Sequence, residues 1–317
     1  MSPSLEPNGS TAIHVQGLTK RYGSLTAVSD LSIEVPPGVT AGFIGPNGAG
    51  KTTTLRMLLG LVRPTGGTGT VLGRPIQDPA SYLGRVGGLI EGPAFHPALS
   101  GRRNLEVLAT LGGHDVAEIP SLLRDVGLGS RGDHPYRTYS HGMKQRLGIA
   151  GALLGGPDLL LLDEPTDGLD PAGIREMREF IGGLSDTNRT IFVSSHLLAE
   201  VEQVCDWLVM IDEGRLVYQG PTADLLASAV TSLSIAPRDP GDLDALRTLL
   251  VSGGYSVSGD QHRLAVAVDN ADPVDLAADI NRSTMEGGIV LVELRHVREG
   301  LEDRYLSMVG VNGGHDG

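Results

Sequence analysis

The feature that most restricts the fold of this chain is a glycine-rich loop, G-P-N-G-A-G-K-T, at Gly45 to Thr52. The loop matches the pattern G-x-x-x-x-G-K-[ST] and lies between a predicted strand, Thr40 to Ile44, and a predicted helix, Thr52 to Leu61. Glycines allow the backbone to curl until successive N–H groups point inward, and the start of the following helix adds a positive dipole end. The sequence therefore predicts a phosphate-binding site between a strand and a helix.

Individual residues of this loop have separate predicted roles. Lys51 is expected to reach the β- and γ-phosphates of a nucleotide, and the Thr52 hydroxyl is expected to bind Mg²⁺. The alternative interpretation is a glycine-rich turn that contains a lysine by chance. The position of the loop between a strand and a helix disfavours this alternative. The residues that we assign to nucleotide binding here are Gly45, Asn47, Gly48, Gly50, Lys51, Thr52 and Thr53.

A second constraint is the stretch L-L-L-L-D-E, in which Leu159 to Leu162 are followed by Asp163 and Glu164. Four leucines predict a buried strand, and two carboxylates beside it are costly unless a positive charge lies opposite them. Ligands of parallel α/β sheets lie at the carboxyl ends of the strands. We therefore assign Asp163 to the Mg²⁺ shell, through water, and Glu164 to orienting or deprotonating an attacking water.

The remaining pattern predicts an α/β fold with additions. Alternating apolar residues before Pro36 indicate an antiparallel β subdomain, and the segment from Ser81 to Leu154 is predicted to be mainly helical. Strands predicted at Leu159–Leu162, Thr190–Val193 and Leu208–Ile211 alternate with helical patterns. This alternation predicts a mostly parallel core sheet with an inserted helical subdomain.

After Pro221 the pattern changes to strand-helix-strand-strand-helix-strand, which predicts a small C-terminal α+β domain of the split βαβ type. We predict a flexible N-terminus at 1–12, a nucleotide-binding domain at 13–221, an accessory domain at 222–309 and a disordered tail at 310–317. The accessory domain could contact a second subunit, regulate the nucleotide-binding domain or support it structurally.

Net charge, cysteine content and the length of apolar runs restrict the class of protein to which this chain can belong. A net charge of −13 argues against nucleic acid as the main partner, because duplex binding requires clustered Lys and Arg. The single cysteine, Cys205, rules out an internal disulfide and suits a reducing cytosol. No apolar run approaches the ~18 residues that a membrane span needs, so we expect the chain not to cross a membrane by itself.

Further motifs follow in a fixed order. Y-S-H-G-M-K-Q-R, at Tyr139 to Arg146, precedes the Asp-Glu strand, and G-L-D-P, at Gly168 to Pro171, follows it. His196 ends the stretch T-I-F-V-S-S-H, and Tyr22 precedes the first predicted hairpin. In this order the motifs resemble those of ABC transporter ATP-binding subunits, over about residues 13 to 221. The resemblance implies a P-loop NTPase cassette of the ABC type that binds and hydrolyses ATP with Mg²⁺.

The resemblance also implies roles for single residues. Tyr22 would stack on adenine, although alone it would be interpreted as a surface tyrosine. Ser140 and Gly142 match the signature motif, which closes over the γ-phosphate of the ATP held by a second subunit. The resemblance thus implies a homodimer with two ATP sites, and Asp170 would link these two sites. His196 would sense the γ-phosphate, although alone it would be interpreted as a strand-end histidine.

Two departures from the family pattern narrow the resemblance. The signature usually reads L-S-G-G-Q, whereas His141 and Met143 replace the first glycine and the glutamine. This variant resembles ABC-2 type drug and peptide exporters. Glu91 stands where most relatives have a Mg²⁺-contacting glutamine, and its context resembles bacitracin and lantibiotic immunity exporters. Our hypothesis is that Glu91 keeps the contact with Mg²⁺.

The implied function is ATP hydrolysis that powers efflux of a drug or antimicrobial peptide through a separate integral membrane permease of the ABC-2 type. The chain would then lie at the cytoplasmic face of the membrane and receive the permease at about Ala94 to Leu105. An alternative is a soluble ABC-type ATPase that acts in DNA repair or on ribosomes. Such proteins usually carry two cassettes or a long coiled coil, and the net charge is unfavourable for nucleic acid.

Overall fold

The computed structural model describes residues 11–185, 189–227, 231–268, 272–298 and 300–312. The chain divides into two compact units between Thr222 and Ala223. Within the described residues, no helix combines the length and the apolar character that crossing a bilayer requires.

Within the described residues, the first unit contains two sheets and the helices that lie between their strands in the sequence. Its strands, numbered along the chain, are β1 (Ile13–Tyr22), β2 (Leu25–Val35), β3 (Thr40–Ile44), β4 (Gly66–Val71), β5 (Arg74–Pro75), β6 (Val86–Leu89), β7 (Leu159–Leu162), β8 (Thr190–Ser195), β9 (Trp207–Asp212) and β10 (Arg215–Pro221). Its helices are α1 (Lys51–Leu58), α2 (Gly101–Gly112), α3 (Ile119–Asp125), α4 (His141–Ala152), α5 (Pro171–Ser185) and α6 (Leu198–Val201), and α7 (Thr222–Ala227) spans the division.

The antiparallel subdomain that alternation predicts is confirmed. Strands β2, β1, β4 and β5 form one sheet in that order, with antiparallel pairing throughout. Leu31, Ile33 and Val35 are buried, whereas the intervening Ser32 and Glu34 are exposed. One face of β2 therefore faces the core and the other faces solvent.

The core sheet has the order β10-β9-β3-β8-β7-β6. All pairings are parallel except that between β10 and β9. Every residue of β3 and β7 is buried, which explains why these strands are continuous apolar runs. Both strands have the predicted bounds.

The prediction that 81–154 is mainly helical is wrong at β6, which pairs in parallel with β7. This strand reads V-G-G-L, and two glycines give it little strand propensity. A β-carbon on Gly87 would overlap the carbonyl oxygen of Ala152, and one on Gly88 would lie 3.0 Å from Leu59 Cδ1. The close packing of this strand therefore requires the two glycines, and their low strand propensity is the reason that the sequence did not predict it.

Boundaries also differ from prediction, among them the end of α1 and the end of the predicted flexible N-terminus. Helix α1 ends at Leu58, three residues before the predicted end at Leu61, and Gly60 just beyond it has φ +67°. Such a left-handed glycine is a common helix terminator. At the N-terminus, Ala12 is buried and its N–H donates to the Val35 carbonyl at 2.9 Å. The chain is therefore fixed at Ala12, within the predicted flexible segment, while 1–10 lie outside the described residues.

From β11 to β14, the second unit has the predicted succession of elements, strand-helix-strand-strand-helix-strand. Its elements are β11 (Thr231–Pro237), α8 (Leu243–Ser252), β12 (Val257–Gly259), β13 (Leu264–Ala267), α9 (Pro273–Glu286), β14 (Leu291–Arg298) and α10 (Leu301–Asn312). The sheet is antiparallel, in the order β12-β13-β11-β14. Helix α10 was not predicted and runs into the predicted tail, of which 313–317 lie outside the described residues.

Candidate active site

Three neighbouring strands bring the predicted residues together. In the order β3-β8-β7, Ile44 pairs with Ser195 and Leu162 pairs with Val193, all in parallel. The carboxyl ends of these strands therefore lie side by side. The glycine-rich loop follows β3, the Asp-Glu pair follows β7 and His196 follows β8. This edge of the sheet is where a ligand of an α/β fold binds.

The loop has the backbone conformation that its glycines permit. Gly48 and Gly50 have φ of +87° and +100°, in the left-handed region. A β-carbon on Gly50 would lie 2.5 Å from the carbonyl oxygen of Ala27. A side chain on Gly45 would meet the carbonyl oxygen of Ile211. The loop therefore requires glycine for both conformation and space.

Lys51 turns back over this loop. Its Nζ donates to the carbonyl oxygens of Gly45 at 2.6 Å and Pro46 at 3.2 Å. It also lies 3.1 Å from Glu164 Oε1, and the lysine side chain is only 6% exposed. A buried ammonium at the loop is positioned to bind phosphate oxygens as a point charge.

The start of α1 fits the same ligand. Gly50 is its N-cap, no side chain caps it, and its first turn contains no acidic residue. The first N–H groups of a helix have no partner within the helix, so they can donate to an anion. Thr52 and Thr53 lie in this turn and are half-buried. The loop, lysine and helix start thus suit a phosphate chain.

Asp163 is buried at the end of β7. Its Oδ1 accepts a hydrogen bond from Ser194 Oγ at 2.7 Å. Ser194 Oγ in turn accepts from the Glu164 N–H at 2.9 Å. Ser194 thus orients both acidic residues, and we did not predict this role from the sequence. The signal was a hydroxyl residue inside the buried strand that immediately precedes His196.

Glu164 lies between two nitrogen donors. Its Oε1 faces Lys51, and its Oε2 lies 2.8 Å from His196 Nδ1. An ionised carboxylate only accepts, so Nδ1 carries the hydrogen of this bond. Glu164 has φ +47°, an uncommon conformation for a residue other than glycine. The sequence predicted Mg²⁺ as a positive charge beside this pair of carboxylates, but the ammonium of Lys51 also faces Glu164.

Oxygen donors for Mg²⁺ are present at this edge. The Asp163 carboxylate and the Thr52 hydroxyl are of the hard type that Mg²⁺ prefers, together with water and phosphate oxygens. In the described parts of the chain, no group of three or more His, Cys, Asp or Glu side chains could hold a metal by itself. The oxygen donors of Asp163 and Thr52 are the kind that suits a magnesium ion.

Glu91 has a partner that we did not predict. Its carboxylate forms an ion pair with the guanidinium of Arg56 on α1, and its side chain is 65% exposed. The predicted contact with Mg²⁺ thus competes with a resident cation. Spacing along the sequence did not reveal this pair, because the two residues lie on different elements.

The signature residues form a second cluster with the G-L-D-P loop. Ser140 is the N-cap of α4, and its Oγ accepts from the Met143 N–H at 3.3 Å. Asp170 Oδ1 accepts from the Gly173 N–H at 2.7 Å. Gly142 faces Leu169, which a β-carbon on the glycine would meet at 3.5 Å. Ser140, Gly142 and Asp170 line one pocket together.

Tyr22 lies at the end of β1 and is 45% exposed. The Nζ of Lys20 is 4.9 Å from its ring centroid, a distance typical of a cation–π contact. An exposed aromatic ring of this kind is available for stacking on a base.

Comparisons with known proteins agree with this geometry. The pattern of the ABC transporter family matches residues 28–167. The chain is 38% identical over 304 residues to the bacitracin transport ATP-binding protein BcrA of Bacillus licheniformis, covering 95% of this chain and 98% of the relative. It is 42% identical over 207 residues to the lantibiotic transport ATP-binding protein SrtF of Streptococcus pyogenes, covering 65% of this chain and 90% of the relative.

A solved structure of the ATP-binding subunit of an ABC transporter has a similar fold. It superimposes with a TM-score of 0.61 and 32% identity, and the match covers 68% of this chain and 92% of that structure. The predicted fold class, an α/β P-loop cassette with added subdomains, is confirmed. The chain belongs to the family of ATP-binding subunits of ABC transporters, whose activity is ATP hydrolysis coupled to transport.

Proposed function

We propose that this chain powers the export of a peptide antibiotic of the bacitracin or lantibiotic type. The similarity to a bacitracin transport protein extends over 95% of the chain and therefore includes the second unit. The relatives do not favour the alternative of a soluble ATPase acting in DNA repair or on ribosomes. In this proposal the nucleotide chemistry belongs to 13–221, and 222–309 is an accessory domain.

The observation that carries the catalytic part is the position of Glu164 between Lys51 and His196. Lys51 and the start of α1 bind the phosphate chain of ATP. Glu164 accepts a proton from the water that attacks the γ-phosphate, or orients that water, and His196 fixes the second carboxylate oxygen. Thr52 and Asp163 would hold Mg²⁺, which would neutralise phosphate charge when it is bound with ATP.

A homodimer would complete each site. Lys51 contacts Glu164, whereas Ser140 belongs to the cluster with Asp170. Ser140 at the start of α4 presents N–H groups and a positive dipole end to an anion. We therefore infer that Ser140 and Gly142 of one copy close over the ATP that Lys51 of the other copy binds. Tyr22 would stack on the adenine.

The permease partner would be an integral membrane protein of the ABC-2 type, with this chain at the cytoplasmic face of the membrane. A groove next to β6 supports a docking site there. It is lined in part by Pro93, Phe95, Leu108 and Leu154. The groove includes the start of the segment, 94–105, predicted to receive the permease.

The test is co-expression of the full chain with a candidate ABC-2 type membrane permease. We expect the pair to co-purify, to hydrolyse ATP only with Mg²⁺, and to raise the bacitracin or lantibiotic concentration that inhibits growth. Hydrolysis without a change in resistance would contradict the proposed cargo. Absence of Mg²⁺-dependent hydrolysis would contradict the catalytic assignment.

Glu91→Gln tests the proposed contact with Mg²⁺. We expect the Mg²⁺ concentration for half-maximal ATP hydrolysis to rise by about three- to tenfold, because an amide attracts the cation less than a carboxylate does. The matched control is Glu106→Gln, which removes a carboxylate paired with Arg103 on α2. An unchanged rate and an unchanged Mg²⁺ dependence in Glu91→Gln would show that Glu91 serves only as the partner of Arg56.

A further inference from the structure

His141, the first residue of α4, makes a hydrogen bond outside its own helix. Its Nε2 lies 2.9 Å from the carbonyl oxygen of Asp167. A carbonyl oxygen can only accept, so Nε2 carries the hydrogen and donates it. The side chain that immediately follows Ser140 is thus bound to the loop that follows β7.

Asp167 belongs to a turn that begins at Glu164. The Asp167 N–H donates to the Glu164 carbonyl at 3.0 Å, and the Leu169 N–H donates to the Thr166 carbonyl at 3.2 Å. The imidazole thus binds one peptide group of the turn that carries Glu164. Two hydrogen bonds, one to the Asp167 carbonyl and one from the Asp167 N–H, thus connect the His141 ring with the Glu164 carbonyl.

Close packing supports the same link. Gly168 has φ +71°, and a β-carbon there would lie 3.2 Å from His141 Nε2. The next residue, Leu169, faces Gly142. The turn then ends at Asp170, whose carboxylate accepts from the Gly173 N–H in the first turn of α5. The segment 164–170 therefore joins Glu164 to Asp170, and His141 attaches its middle to the signature residues.

We propose that His141 is a positioning residue that couples the two ATP sites of the dimer through each subunit. The inference rests on the proposed function, in which Ser140 closes over the ATP of the other copy while Glu164 acts on the ATP of its own copy. Closure at Ser140 places His141, and His141 places the turn that holds Glu164. A glycine, which the L-S-G-G-Q pattern has at this position, has no side chain with which to make this bond.

Three substitutions distinguish the effect of losing the hydrogen-bond donor at Nε2 from the effect of losing the volume of the ring. His141→Ala removes the donor, His141→Asn places an amide at the reach of Nδ1, and His141→Gln places one at the reach of Nε2. In the full chain with its permease, we expect Ala and Asn to lower kcat by about tenfold and to reduce the Hill coefficient for ATP towards 1. Equilibrium ATP binding should stay within about twofold, and Gln should restore most of kcat and the cooperativity.

Amide hydrogen exchange tests the link without turnover. In the full chain, His141→Ala should accelerate exchange across 164–170 by about three- to tenfold, and His141→Gln should restore the protection. Wild-type kinetics and exchange in His141→Ala would overturn the proposal. Equal loss in all three variants would also overturn it, because the ring's bulk rather than its donor would then matter. Failure of the wild type to hydrolyse ATP would count against the proposed function, and the exchange result would still decide this link.

Discussion

Replacement of Glu164 with glutamine is expected to lower ATP turnover by about a hundred- to ten-thousandfold, the contribution of a positioned general base. Glutamine has nearly the same shape and leaves Lys51 and the loop in place, so ATP should still bind. It cannot accept a proton from the attacking water. We therefore expect an ATP-bound dimer to accumulate, and size-exclusion chromatography with Mg²⁺ and ATP should detect it while a phosphate-release assay measures the lost turnover.

The matched control is Glu179→Gln, which removes one carboxylate from an exposed position on α5. Its turnover should stay close to that of the wild type. Retention of more than about a tenth of the wild-type rate in Glu164→Gln would assign the base to another group. His196 would then be tested next, because its Nδ1 lies 2.8 Å from the Glu164 carboxylate.

The sequence predicts those parts of the fold that depend on local pattern. Strands β3 and β7 are continuous apolar runs because both of their faces are buried, and such runs are visible without tertiary information. Strand β6 is not visible, because close contact with Ala152 and Leu59 selects glycine at Gly87 and Gly88. At β6, close packing rather than strand propensity therefore determines which residue type is present.

For the candidate site too, the sequence predicts which residues take part but not which of them contact each other. Motifs placed Lys51 and Glu164 at the carboxyl ends of strands, where a ligand binds. Their direct contact depends on the neighbouring order β3-β8-β7, which alternation along the chain does not specify. The ion pair of Arg56 with Glu91 and the bond from His141 to Asp167 likewise join residues of separate elements. A sequence pattern cannot select such partners.

Replacement of Lys51 with methionine is expected to have the second large effect. Methionine keeps most of the aliphatic stem but removes the ammonium that lies at the loop. Charge-assisted hydrogen bonds are worth about 1.5–3 kcal/mol, so ATP affinity should fall by about ten- to a hundredfold. Turnover should fall further, because Lys51 also faces Glu164 at 3.1 Å. Equilibrium ATP titration and a phosphate-release assay measure the two effects separately.

The matched control is Arg282→Ala, which removes an exposed cation paired with Asp279 in the second unit. Its ATP affinity should equal that of the wild type, because it changes net charge by the same amount at a residue with no proposed contact to phosphate. A melting temperature close to that of the wild type would show that Lys51→Met remains folded. Unchanged ATP affinity in such a folded variant would contradict the phosphate role. The Lys51 ammonium would then serve as the partner of the Glu164 carboxylate rather than of phosphate.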